Sequence, residues 1–222
     1  NLIGEHTDYN DGFCLPMAIE RDVRIAWRRR NDRRVRVTSL EQNGVVEFAL
    51  APPIAHATSP AARWSDYVSG CAQVLQEAGI PLTGCDLAIT GDVPLGSGLS
   101  SSAALEVAAI HALFAVAGVM RPGAEIATLA QRAENTYVGT KCGILDQLAS
   151  ACSTAGQAML MDCRTLGLTP APLPTGISVV IADTGRVDTR FDYHGVTPGD
   201  PQKPPVPVLP PLTKEELAPG LV

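Results

Sequence analysis

The segment Asp92-Val93-Pro94-Leu95-Gly96-Ser97-Gly98-Leu99-Ser100-Ser101-Ser102 runs directly into the apolar stretch 103–117, in which Glu106 and His111 are the only strongly polar side chains. A helix over 103–117 that is apolar almost all round must be buried on most of its faces. Cys85 to Thr90 reads as the strand before it, so the chain is built around a strand, a glycine turn and a buried helix. Gly96 and Gly98 permit backbone conformations and a close approach that a Cβ would block. The unpaired N–H groups of a helix beginning near Ser101 offer donors and partial positive charge, the conditions a polyphosphate needs. The same residues also suit a plain turn with serines capping a helix. The segment has neither the lysine of G-x-x-x-x-G-K-[ST] nor the spacing of G-x-G-x-x-G, so a Walker A loop and a dinucleotide fold are both excluded.

Around this centre the pattern predicts strands first and helices packed on them. Partial alternation from Phe13 to Trp27, then Val35 with Val37 and Val45-Val46-Glu47-Phe48, reads as antiparallel strands, the last two joined by a turn near Asn43-Gly44. Arg28-Arg29-Arg30 with Arg33, Arg34 and Arg36 flank Asn31-Asp32 and read as the solvated tip of a hairpin, with an anion-binding patch as the alternative. Residues 51–62 form a loop, and 64–78 a helix stopped by Gly79. Further helices are expected over 123–138 and from Gly143 to about Ser153, and strands at 157–161 and 177–182. The class is α+β rather than a doubly wound sheet. Residues 198–222 carry eight prolines, which exclude a regular core element over most of that stretch. They read as an extended tail in which Thr213 to Leu217 can form one helical turn.

At 222 residues the chain can bury a full core. A net charge of −6 implies no general affinity for nucleic acid or an anionic membrane surface. No apolar stretch has the length and freedom from charge of a membrane span, and no signal peptide precedes the first motif. Six cysteines are scattered without a C-x-x-C pair, so reduced thiols in a cytoplasmic protein are expected rather than zinc or a disulfide framework. The chain starts at Asn1, inside what reads as a motif, and is expected to lack residues that precede it.

Three further segments carry chemistry. Glu5, His6 and Asp8 lie within the short run Asn1 to Asn10, and two carboxylates with an imidazole suit the many hydroxyls of a sugar. Metal ligation and a plain polar turn are the alternatives. Asp146, in Cys142-Gly143-Ile144-Leu145-Asp146-Gln147, falls in the first turn of a predicted helix, where a carboxylate is favoured by the dipole. It is either an N-terminal stabiliser or, if it lines the same cleft as the glycine turn, a general base for a hydroxyl attacking a γ-phosphate. Glu134 lies just off the apolar face of the preceding helix, as a surface acid or, with Ser102, as a ligand for Mg²⁺.

Together these segments resemble the galactokinases, members of the GHMP family of small-molecule kinases. Residues 1–10 with Gly12 and Leu15-Pro16-Met17-Ala18 resemble the galactokinase signature, and 93–104 the GHMP phosphate loop. Gln131-Arg132-Ala133-Glu134-Asn135 through Cys142 to Gln147 resembles the segment bearing the family's acid and base. The resemblance implies a GHMP-type N-terminal lobe over 1–175, a mixed sheet with packed helices, and over 176–222 the start or remnant of a mostly missing C-terminal lobe. It implies ATP and Mg²⁺ as cofactors, galactose as the small-molecule partner, and a monomer. Glu5, His6, Thr7 and Asp8 then bind the sugar, and Gly96, Ser97, Gly98, Leu99, Ser100, Ser101 and Ser102 hold the ATP phosphates. Ser102 and Glu134 bind Mg²⁺, and Asp146 deprotonates the anomeric hydroxyl to give galactose 1-phosphate and ADP.

Family members carry an arginine just before the position of Asn1. Beyond about Thr184 the family's sugar-contacting tyrosine segment and its third, glycine-rich motif are not recognisable; Tyr193 stands near the expected tyrosine in surroundings that do not match. A chain without the opposing wall of its cleft is expected to show weak or no turnover, because positioning and water exclusion are lost. The alternatives are a sugar kinase for N-acetylgalactosamine or arabinose, and a non-catalytic sensor of sugar and ATP. The unbroken Ser100-Ser101-Ser102-Ala103-Ala104 favours an enzyme.

Overall fold

The larger sheet is organised by the strand that enters the glycine turn. In the computed structural model, which describes residues 1–42 and 44–182, the strands are β1 (Phe13–Cys14), β2 (Val23–Arg29), β3 (Arg34–Ser39), β4 (Val45–Ala49), β5 (Cys85–Gly91), β6 (Gln157–Asp162) and β7 (Gly167–Pro172). The helices are α1 (Asp66–Glu77), α2 (Ser101–Ala117), α3 (Gly123–Ala133) and α4 (Leu145–Cys152). A four-stranded sheet has the order β2-β5-β3-β4, and a three-stranded sheet the order β1-β6-β7. The class is α+β, as the sequence implies.

Alternation on β3 and β5 turns Val35, Val37, Cys85, Leu87 and Ile89 onto α1, α2 and α3, where they form the larger core. A smaller core joins β1 and β6 to α3 and α4 through Cys14, Ala127, Leu148, Met159 and Met161. Helix α2 is buried along most of its length, which explains its lack of a polar face. Sequence placed α1 correctly to within two residues, although its first turn is drawn into a 3₁₀ segment, Pro60–Ser65.

Four expectations are corrected. β2 and β3 do not form a hairpin: β5 lies between them, antiparallel to β2 and parallel to β3. The arginines between them converge instead on Asp86 of β5, which receives Arg28 at 2.6 Å, Arg36 at 2.9 Å and Arg30 at 3.0 Å. The helix expected over 123–138 is α3 followed by a π turn, Glu134–Val138. No strand forms at 177–182 among the described residues; Ile177, Val179, Val180 and Ile181 are exposed there, and β-branched side chains without a partnering edge do not make a strand. β7 carries Pro170 and Pro172, which hid it, and it lies at the edge of its sheet, where proline is tolerated. β3 and β4 pair antiparallel as expected, with Asn43 of their turn outside the described residues. The proline-rich stretch, Tyr193 and the turn at Thr213 to Leu217 also lie outside them.

Candidate active site

The loop between β5 and α2 takes left-handed backbone conformations at Gly96 (φ 67°), Gly98 (φ 74°) and Ser100 (φ 62°). Glycine makes two of these cheap, whereas Ser100 is a non-glycine residue held in a sparsely populated region, a local cost that clusters at functional sites. Ser97 donates its hydroxyl to the Pro94 carbonyl at 2.8 Å and closes the turn. No side chain caps the start of α2. The serine run is therefore not a cap, and its hydroxyls diverge. Ser100 faces the Asp146 carboxylate and Ser102 faces Glu134, each holding its carboxyl down from where burial would put it. Ser101 lines a groove on the loop's other edge.

Two recesses flank the loop. One, of about 360 Å³, is bounded by Gly98, Leu99, Ser100, Asn1, Met17 and Asp146. The other, of about 300 Å³, is bounded by Gly96, Ser101, Ser102, Trp64, Tyr67 and Leu105. Both volumes fall in the range of small-molecule sites. Trp64 and Tyr67 had no signal in the sequence beyond helical spacing. Trp64 also keeps its buried indole N–H without a hydrogen-bond partner.

The N-terminal segment is a tight loop framed by its glycines and by Thr7. A Cβ on Gly4 would strike the Phe13 carbonyl, and Gly4 has φ 95°. The Thr7 hydroxyl lies 2.7 Å from the Gly4 carbonyl and 2.8 Å from the Phe13 carbonyl, so it faces into its own loop. His6 has φ 59° and packs its ring 5.8 Å from Tyr9. Asp8 reaches across to the start of α4, where its Oδ2 accepts the Leu145 N–H at 3.3 Å. Gly143 makes that approach possible, since a Cβ there would overlap the Asp8 carboxylate.

Asp146, one residue into α4, thus stands between the phosphate loop and the N-terminal loop. Burial pushes its carboxyl up, the Ser100 hydroxyl holds it down, and the charges of Asp8 and Glu5 push it up again. Segments far apart in sequence meet here. Glu5 and His6 remain exposed at the margin and do not wall the recess themselves.

Glu134 is not a surface acid: at 4% exposure it lies in the interior, at the start of the π turn. Its Oε2 accepts the Gln147 amide at 2.6 Å and the Cys142 thiol at 3.3 Å. Asn135 fixes the following loop, accepting the Cys142 N–H at 2.8 Å. Burial pushes the Glu134 carboxyl up, and no ion pair engages it among the described residues. A buried carboxylate with a neighbouring hydroxyl, Ser102, and no cationic side chain suits a hard cation that prefers oxygen donors. Among the described residues no group of three His, Cys, Asp or Glu forms a self-sufficient metal cage. That is consistent with a cation completed by phosphate oxygens.

Comparison with known proteins bears on the family and the fold. Residues 66–154 match the GHMP kinases N terminal domain, and residues 1–29 match the galactokinase galactose-binding signature. The chain is 50% identical over 186 residues to a galactokinase of Chloroflexus aggregans, an alignment covering 83% of this chain and 47% of that protein. The crystal structure of Lactococcus lactis galactokinase complexed with galactose superposes with a TM-score of 0.73 at 37% identity, over 78% of this chain and 45% of that one. A D-glycero-D-manno-heptose 1-phosphate kinase from Bacteroides thetaiotaomicron, at 17% identity and a TM-score of 0.61 over 78% of this chain and 54% of that one, shares the fold. The chain spans about half the length of the curated relatives it matches. Residues 66–154 thus carry a GHMP kinase N-terminal domain, and residues 1–29 carry the galactokinase signature.

Proposed function

We propose that this chain supplies the nucleotide-binding and sugar-binding machinery of a galactokinase, which transfers the γ-phosphoryl group of ATP to the anomeric hydroxyl of galactose. The observation that carries the reading is Asp146, raised in pKa by burial and held between the left-handed Ser100 and the acidic N-terminal loop. A base with an elevated pKa in a half-buried cleft suits proton abstraction from a sugar hydroxyl near neutral pH. The 96–102 loop binds the phosphates through backbone N–H groups at the uncapped start of α2. The groove at Trp64 and Tyr67 takes the nucleoside, and the recess at Asp146 takes the sugar. Asp8, Glu5 and His6 accept and orient sugar hydroxyls, while Thr7 shapes their loop.

In the reaction the anomeric O–H bond breaks and its proton goes to an Asp146 carboxylate oxygen. The freed oxygen bonds to the γ-phosphorus as the β,γ-bridging P–O bond breaks, releasing ADP. Mg²⁺, held by Ser102 and Glu134, would neutralise charge on the phosphate oxygens. Residues 1–175 are read as the lobe that carries this machinery, and 176–222 as the start or remnant of a second one, most of which lies outside the described residues. No helix among the described residues is long and apolar enough to cross a membrane. The scattered free thiols fit a reducing, cytoplasmic compartment, and a monomer is proposed on the family resemblance alone.

The test is transfer of labelled phosphate from ATP to galactose, with the product identified as galactose 1-phosphate. Slow transfer is expected for this chain, lower in Asp146→Asn by at least about a hundredfold. N-acetylgalactosamine and arabinose in parallel assign the sugar. Labelled product undiminished in Asp146→Asn, or a chain that binds neither ATP nor galactose by calorimetry, would overturn the reading.

A further inference from the structure

Residue 147 follows the proposed base directly, yet its side chain is turned the other way. One step along a helix rotates the side chain by about 100°. Asp146 therefore borders the recess while Gln147 points inward and is 1% exposed. A buried amide in that place is costly unless its groups are paired. Only half of this one is: Nε2 donates to Glu134 Oε2 at 2.6 Å, and Oε1 has no partner among the described residues. Leucine or methionine would fill the same volume without an orphaned carbonyl, so packing alone does not account for glutamine.

The surroundings say what the amide does. Glu134 sits in a π turn, where the backbone ladder is irregular, and it has no ion pair among the described residues. Beside it Glu106 is fully buried, its carboxyl facing both Glu134 and the Gln147 amide. Of the other groups that face Glu134, the Cys142 thiol at 3.3 Å is a weak donor, the Ser102 hydroxyl belongs to the phosphate loop, and the Glu106 carboxyl donates only when it carries a proton. The Gln147 amide is the strong, fixed donor. It occupies Oε2 and so decides which carboxylate oxygen and which lone pairs remain turned toward Ser102.

We propose that Gln147 is a positioning residue: its buried amide orients the Glu134 carboxylate toward the cation and locks that carboxylate to the helix carrying Asp146, so that metal ligand and base keep one spacing. The proposal rests on the reading of Ser102 and Glu134 as the Mg²⁺ ligands. It assigns Gln147 no contact with substrate. Outer partners that orient metal ligands typically change metal affinity by about 10- to 100-fold when removed.

The experiment is calorimetric titration of ATP into the full chain, once with Mg²⁺ and once with EDTA, for the parent, Gln147→Met, Glu134→Gln and the double variant. In the parent, Mg²⁺ should strengthen ATP binding. Gln147→Met should reduce that gain by about tenfold while leaving ATP affinity in EDTA unchanged. In the Glu134→Gln background the second substitution should have no further effect, because Gln147 acts through Glu134. Gln147→Asn, a shorter amide that cannot reach Glu134, should reproduce the loss and serves if the methionine variant does not fold. A Gln147→Met protein with the full Mg²⁺ gain overturns the proposal, as does equal weakening with and without metal, or additive effects in the double variant. If Glu134→Gln itself retains the full Mg²⁺ gain, the ligand assignment beneath the proposal fails instead, and Gln147 falls with it.

Discussion

Glu106 shows what a single residue on a nearly featureless helix can cost the fold. It lies one turn after Ser102 on α2, at 0% exposure, its carboxyl facing Glu134 and the Gln147 amide. Burial, then the charge of Glu134, pushes its carboxyl up to about 10. In the unfolded chain the same group titrates at about 4.3. Between those values the folded state holds a proton that the unfolded state has released, so this residue makes stability fall as pH rises from about 4.3 toward 10. Glu106→Gln removes the titration while keeping the shape. It should melt above the parent at pH 8 and by a smaller margin at pH 5; an equal margin at both would show that Glu106 ionises normally in the fold. In the sequence Glu106 is one polar letter in an apolar run, and nothing local distinguishes a buried carboxyl from a solvated one. The same blindness made Glu134 ambiguous. Its burial depends on Gln147 from another helix and on a π turn, neither of which has a period to read.

At the scale of elements, the strand, glycine turn and helix around 92–102 were legible because the cues are local: alternation, two glycines, then unbroken apolarity. The place of β5 between β2 and β3 was not, because those pairings span fifty residues or more and are fixed by the whole sheet. The junction of the N-terminal loop with α4 is equally non-local. Asp8 meets the Leu145 N–H because Gly143 has no side chain. Gly143→Ala should therefore push α4 and the loop apart, with a loss of stability of about 1–3 kcal/mol, the usual range for overpacking. Galactose affinity should fall further than ATP affinity, since the contact adjoins the sugar recess and not the groove at Trp64. Paired titrations with each ligand measure this. Equal losses for both would mean that the contact supports the lobe as a whole rather than the sugar side.

For the whole molecule, the loop at 96–102 is a partition. Its Gly98 to Ser100 edge faces one recess and its Gly96, Ser101 and Ser102 edge faces the other, so two ligands can lie on opposite sides of a single backbone segment. Helix α2 borders both recesses, through Leu105 on the Trp64 side and Ala104, Val107 and Ala108 on the Asp146 side, and α4 closes the Asp146 side alone. A kinase needs this geometry, because the γ-phosphate must emerge past the loop to meet a hydroxyl held beyond it. The chain has two tryptophans, and Trp27 is half exposed on β2, away from both recesses, which makes the arrangement testable by light. In Trp27→Phe all the indole emission comes from Trp64. ATP should change that emission, because its base would cover an indole whose N–H has no hydrogen-bond partner among the described residues. Galactose alone should leave it unchanged, because the recess proposed for the sugar lies across the partition. An emission that responds to galactose but not to ATP would place the ligands the other way round, and Asp146 would then stand beside the nucleotide rather than the acceptor hydroxyl.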